Sequence, residues 1–178
     1  MTENNKSKWT IDAGHSEVQF KVKHLGISNV AGTFKLFKGE VICENESFDD
    51  AKVRCVIEVN SLDTNNAQRD EHLRSDGFFD IQNYPDILFE GVLKKREDQY
   101  TLEGELTIRE VTHRVAMETE LTGTGKGRFN DTRVGFEVTG KINRKDFGLS
   151  WNILTEAGGF VIGEEIKLHF DIQLIRQV

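Results

Sequence analysis

Five histidines, His15, His24, His72, His113 and His169, are the side chains of this 178-residue chain best suited to ligate a metal or a haem, or to move a proton near neutral pH. A zinc site needs ligands at short spacings, and a helical pair of histidines needs an i, i+4 gap. None of the five has such a gap to another, and none has a cysteine close by, so no metal site is expected. A second group, Asp63, Arg69, Asp70, His72 and Asp76, holds acids and bases of the kind general catalysis uses. It lacks a nucleophile, because neither Ser61 nor Ser75 stands in a glycine-rich elbow. No catalytic residue is assigned. These charges read either as the solvated face of a short helix or, for Arg69 and His72, as partners for the polar head of a bound molecule. Cys43 and Cys55 have neither redox-motif spacing nor companions for zinc, and two reduced thiols are expected although the two could face each other across neighbouring strands.

The elements that must position these residues are strands. Val18, Phe20, Val22 and His24 alternate with Glu17, Gln19, Lys21 and Lys23, which puts one set on each face of a strand. The same period recurs at Val53–Val59, Ile87–Leu93, Tyr100–Ile108, Val111–Leu121, Val134–Ile142 and Ile166–Leu174. A further strand around Gly32, Phe34 and Leu36 carries Thr33, Lys35 and Phe37 on its other face. About eight strands with one apolar side each point to antiparallel pairing. One segment, Thr64 to Ser75, reads as a helix capped by Asp63 or Thr64. Pro85 precedes the strand Ile87–Leu93, where a missing N–H costs the ladder nothing.

With no amphipathic helices to cover it, the apolar side must close on itself. The expected fold is all-β: an eight-stranded antiparallel, lipocalin-like barrel over residues 9–178, with one short helix near the open end and a flexible segment over residues 1–8. Strand-interior glycines at 91, 104, 135 and 140 suit a sharply curled sheet. Aromatics set beside glycines on the inward face would leave concave space in an interior wide enough for one small ligand. The opposite reading, a core filled solid by phenylalanine, stays open at this point. The net charge of −7 opposes sequence-independent attraction to nucleic acid or anionic lipid. No apolar run approaches the roughly 20 residues of a membrane span. Met1–Lys8 shows no secretory pattern, so the expected location is the cytoplasm.

Several motifs say more than periodicity does. Trp9-Thr10-Ile11-Asp12 and His15-Ser16 lead into the strand ending at His24. Ser61-Leu62-Asp63-Thr64, Arg69-Asp70-Glu71-His72-Leu73, Phe78-Phe79-Asp80 and Tyr84-Pro85 follow. Then come Gly104-Glu105-Leu106-Thr107-Ile108, Val111-Thr112 and Arg144-Lys145-Asp146-Phe147-Gly148-Leu149. In order and spacing this series resembles the YceI-like family, with Glu110 where the family usually carries glycine. The resemblance implies a lipocalin-like barrel that binds a polyisoprenoid or another long-chain amphiphile in its lumen.

The lumen wall is then expected from Phe20, Val22, Phe34, Phe89, Met117, Phe136, Ile142 and Trp151, the last suited by its indole N–H to an apolar–water boundary. The mouth, where a head group would sit, is expected from His24, Arg69, His72, Phe78, Phe79 and Arg144. Arg144 with Asp146 reads equally as an ion pair stapling a loop. The favoured reading is a non-enzymatic carrier of an isoprenoid, quinone or fatty-acyl lipid that needs no cofactor. The alternatives are an enzyme on a barrel scaffold, haem-dependent or lipid-modifying, and a solid barrel that acts as an interaction module, with a homodimer through outer faces suggested by Phe37.

Overall fold

The computed structural model of the protein describes residues 6–45, 47–151 and 162–178. Among them lie eleven strand segments: β1 (Ser7–Ile11), β2 (Glu17–His24), β3 (Ser28–Phe34), β4 (Phe37–Cys43), β5 (Ala51–Glu58), β6 (Leu62–Asp63), β7 (Asp86–Arg96), β8 (Gln99–Ile108), β9 (Val111–Lys126), β10 (Thr132–Asn143) and β11 (Ile162–Arg176). Pairing is antiparallel throughout and runs β1, β4, β5, β7, β8, β9, β10, β11 and back to β1, which closes a barrel of eight. The other three segments prolong three of its staves. β2 takes over the edge of β11 beyond a 3-10 turn at Ala13–His15, β3 continues β4, and β6 continues β5 past a turn at Val59–Ser61. Closure of this kind leaves few strand edges to manage.

The alternation read from the sequence puts the apolar sets inside on β7, β8, β10 and β11. Ile87, Phe89 and Leu93 are buried, as are Leu102, Leu106, Val134, Phe136, Val138 and Leu174. The segment after Phe34 corrects the expected phase. Leu36 is 57% exposed and Phe37 is buried, so Phe37 faces the core and offers no outward contact for a dimer. The stave kinks at Lys35–Leu36, where Lys35 N–H donates to the Ser61 carbonyl and Glu58 N–H donates to that of Leu36. β4 therefore restarts with inverted phase, carrying Phe37, Val41 and Cys43 inward.

Two further expectations shift. β1 opens at Ser7, inside the segment expected to be flexible, because Ser7 pairs with Cys43 and its Oγ accepts from Trp9 Nε1 at 3.1 Å. The helix α1 (Ala67–Arg74) starts later than Thr64, with Asn66 as cap, its side chain accepting from Arg69 N–H at 2.9 Å. Thr64 is held out of the helix by the buried Asp70, whose carboxylate accepts from Thr64 N–H at 3.0 Å and from its Oγ1 at 2.5 Å.

The glycines act in two ways. Gly91 and Gly104 lie where the two strand backbones approach closely, as a sharply curled sheet requires: a Cβ on Gly91 would run into the Glu103 carbonyl and one on Gly104 into that of Glu90. Gly32, Gly91 and Gly140 are also seats for large side chains, since a Cβ on Gly32 would run into the Phe20 ring, one on Gly91 would come within 2.7 Å of Phe89 and one on Gly140 within 2.6 Å of Met117 Cγ. The space left free is along the axis, not beside the glycines.

Candidate functional site

Two adjoining apolar chambers occupy the interior. The larger, about 350 Å³, is walled by β2, β3, β11 and α1, and the deeper, about 120 Å³, by β4, β5, β9 and β10. Val18, Ile57, Leu106, Leu168 and Phe170 line both. The larger falls within the range of small-molecule sites. Its lining includes the exposed side chains Lys23, His24 and His72, so it reaches the surface at the end formed by the β2–β3 hairpin, α1 and the segment after β10.

Of the residues expected to form the site, Phe20, Val22, Phe34, Ile142, His24, Arg69, His72, Phe78, Phe79 and Arg144 line the larger chamber. Phe89, Met117 and Phe136 line the deeper one. Trp151 stands at the mouth instead of on the lumen wall, its ring edge-on to His72 at 4.5 Å and tilted against Phe78 at 5.3 Å. His72 also meets Phe78 edge-on at 5.4 Å, so three rings from α1, the following loop and the segment after β10 pack into one lid.

Charge at the mouth is held mainly by backbone carbonyls. Arg69 donates through Nε to Thr64 Oγ1 at 2.8 Å and through Nη2 to the Thr64 carbonyl at 2.6 Å. Arg144 is 2% exposed and donates to the carbonyls of Leu149 (2.5 Å), Gly163 (2.8 Å), Trp151 (3.0 Å) and Ile162 (3.2 Å). It does not pair with Asp146. No carboxylate among the described residues forms an ion pair with it, and burial pulls its guanidinium below the usual value, partly offset by Glu164. Its planar fork suits several carbonyls at once where a lysine ammonium would not.

The remaining candidates are accounted for by structure. Asp63 pairs with Lys35 at 2.8 Å, which holds its carboxyl below the usual range. Ser61 and Ser75 donate to the carbonyls of Glu58 and His72. His113 lies edge-on to Phe147 at 5.2 Å, and His169 pairs with Glu137 at 3.0 Å. No group of three His, Cys, Asp or Glu residues among the described residues is placed to hold a metal. Cys43 and Cys55 are free thiols, and burial pushes Cys55 in the deeper chamber up to about 12.

Sequence reasoning missed Phe48. It lies in a loop rich in Asn, Ser and Asp that reads as solvated, yet its buried ring meets Trp9 at 5.2 Å and Phe136 at 5.1 Å and seals the far end of the barrel.

A closed antiparallel barrel of eight staves around an axial apolar cavity defines a lipocalin-like architecture. The chain matches the YceI-like domain over residues 9–174 and belongs to that family. It is 40% identical to the UPF0312 protein plu2095 of Photorhabdus laumondii over 141 residues, 79% of this chain and 73% of that one. The crystal structure of the Campylobacter jejuni YCEI protein superposes with a TM-score of 0.72 at 31% identity, covering 89% of this chain and 91% of the other. A polyisoprenoid binding domain from Saccharophagus degradans shares the fold, with a TM-score of 0.68 at 16% identity, covering 95% and 98%. No helix of the described residues is long and apolar enough to cross a membrane.

Proposed function

We propose that the protein is a non-enzymatic carrier that holds one long-chain apolar or amphiphilic molecule, of polyisoprenoid, quinone or fatty-acyl type, along the barrel axis. The observation that carries this reading is the pair of adjoining chambers, about 350 and 120 Å³, lined almost wholly by aliphatic and aromatic side chains. A space that is long, dry and nearly free of polar groups favours a chain over a compact polar metabolite. Each buried methylene contributes roughly 0.8 kcal/mol, so about ten carbons supply useful affinity after ordering costs are subtracted. The polyisoprenoid binding domain with the same fold supports an isoprenoid as the first candidate. Arg69, His72 and Arg144 at the mouth suit a head group that accepts hydrogen bonds or carries negative charge.

Native mass spectrometry of gently purified protein tests the reading. A mass excess that organic solvent removes, or uptake of an added isoprenoid, is expected. Leu106→Trp, which fills the junction between the chambers, should abolish uptake of long chains while sparing short ones that fit the larger chamber. An unliganded mass with no uptake of any isoprenoid or long-chain lipid overturns it.

A further inference from the structure

The outer surface of the barrel sorts its charges by row. Lys141 on β10 lies opposite Lys167 on β11, and Lys167 lies opposite Lys21 on β2, so three exposed lysines stand side by side across three staves. Lys23 is the next outward residue of β2 toward the mouth. In the other direction the row Thr139, His169 and Gln19 follows, and then an acidic row, Glu137 opposite Asp171 opposite Glu17. Like charges directly opposite destabilise a sheet, and exchanging one residue between the rows would relieve both. Instead the rows lie four residues apart, about 13 Å along a strand, beyond a screening length of about 8 Å in physiological salt. Among the described residues Lys21, Lys23 and Lys167 form no ion pair, and Lys141 reaches Glu165 only at 3.8 Å with both groups largely exposed. Toward the mouth on β11, Glu164 is bound to Lys145 at 2.7 Å.

A second, independent feature lies beside this row. The β2–β3 hairpin turns at Leu25-Gly26, both with positive φ (55° and 67°), and Ile27 N–H donates to the His24 carbonyl at 3.1 Å. Such a type I′ turn favours Asn-Gly. Of the seven non-glycine residues with positive φ among the described residues, six are polar and Leu25 alone is apolar. Ile27 is 85% exposed and Leu25 44%. Next to this aliphatic tip, His24 lines the larger chamber.

We infer that this end of the barrel docks on an anionic lipid bilayer, with Leu25 and Ile27 entering the headgroup layer and the Lys141–Lys167–Lys21 row meeting lipid phosphates, so that the lumen loads from the membrane surface. The inference rests on the carrier reading and names where its cargo is met. The net charge of −7 opposes long-range attraction, but the acidic row behind the lysines lies beyond a screening length, and Glu164 and Glu165 on the mouth side are paired with Lys145 and Lys141. An acidic protein would answer the lysines alone. The apolar tip beside an apolar cavity favours lipid.

The test is co-sedimentation of the full chain with phosphatidylcholine vesicles containing or lacking phosphatidylglycerol, with uptake of farnesol from vesicle-free solution measured alongside. Binding to the anionic vesicles only, weakening with salt, is expected. Lys21→Gln with Lys167→Gln should lower it about 25-fold, at about fivefold per lysine, and Ile27→Asp should lower it further. Farnesol uptake should stay unchanged in both variants, and the double lysine variant should melt no lower than the parent, which shows that the fold is intact. No binding to anionic vesicles, or equal binding by the lysine variant, overturns docking while farnesol uptake leaves the carrier reading standing. Capture by an acidic polypeptide that the lysine change abolishes, without vesicle binding, also overturns it. Vesicle binding without uptake of farnesol or of any long-chain lipid offered overturns the carrier reading, and loading from the membrane falls with it.

Discussion

The two ends of the barrel solve the same problem, closing a cylinder of strands, with different chemistry. At the far end Arg133 donates through Nη1 to Asp12 Oδ2 and Gln173 Oε1, both at 2.6 Å, and through Nε to Asp131 Oδ2 at 2.8 Å. His15 Nδ1 adds a donor to Asp12 at 2.8 Å. Inside the wall that this clamp pins, Trp9, Phe48, Phe136 and Tyr100 pack at centroid distances of 5.1 to 5.9 Å and fill the axis. At the mouth the partners of the buried cation among the described residues are backbone carbonyls, the rings of His72, Phe78 and Trp151 form a lid over open volume, and the hairpin tip exposes aliphatic side chains. At the far end, charges that neutralise one another pin the wall around a floor of packed rings. Charges held by the backbone keep a mouth in shape while leaving its electrostatics for whatever comes to it.

The largest expected effect breaks the mouth. Arg144→Met should remove the shared donor of four carbonyls, the buried one of Leu149 and the part-buried ones of Trp151, Ile162 and Gly163. At about 1–3 kcal/mol for the acceptor that water cannot reach and less for the other three, the loss should be about 3 kcal/mol. Arg144→Lys should recover little of it, since one ammonium cannot span the set. Urea denaturation of the three proteins measures this. An Arg144→Met loss below about 1 kcal/mol would mean that the carbonyls find other donors and that Arg144 is not the clasp of this end.

That clasp was only half legible in the sequence. Arg144 stood out, but its nearest carboxylate in sequence, Asp146, suggested an ion pair, because backbone carbonyls leave no trace in residue type. Trp151 was read as lumen wall for the same reason: its indole fits any apolar–water boundary, and only the packing on His72 and Phe78 shows which boundary it holds. The staves were far plainer. On β7, β8, β10 and β11 each apolar set has a single clean phase, and a one-residue slip would turn it all into water. Where phase breaks, at Lys35–Leu36, the cause is a long-range bond to Ser61 that local alternation cannot register. The wall residues of the lumen were accessible to sequence reading because burial dictates them. The emptiness of the lumen was not, since it depends on Phe20, Phe89 and Met117 lying back over glycines.

A middle-sized effect sharpens the comparison from the floor. The hydrogen bond from Arg133, then that from His15, holds the Asp12 carboxyl below its ordinary value. Between the folded and unfolded values the folded chain carries fewer protons than the unfolded chain, so stability rises with pH there. This contribution is complete above about pH 4, the unfolded value, and is lost as pH falls through the folded one. Arg133→Met should lower stability at pH 7, by less than Arg144→Met does, and should flatten the stability slope below pH 4. Urea midpoints of both proteins between pH 2.5 and 7 give the answer. Parallel profiles would show that Asp12 does not depend on Arg133.

The smallest effect has the opposite sign and lies at the mouth. Leu25 occupies a left-handed position at φ 55°, where asparagine fits a type I′ turn with less strain. Because the side chain is 44% exposed, little packing is lost on replacing it. Leu25→Asn should therefore stabilise the fold by about 0.5–1 kcal/mol, a gain that thermal unfolding can resolve. At the floor the comparable positive-φ position in the β9–β10 turn already holds asparagine, Asn130 at φ 62°, so the same strategy has nothing to gain there. If Leu25→Asn is neutral or destabilising, the tip is packed in a way its exposure does not reveal, and the contrast between an end shaped for stability and one that forgoes it loses its clearest local example.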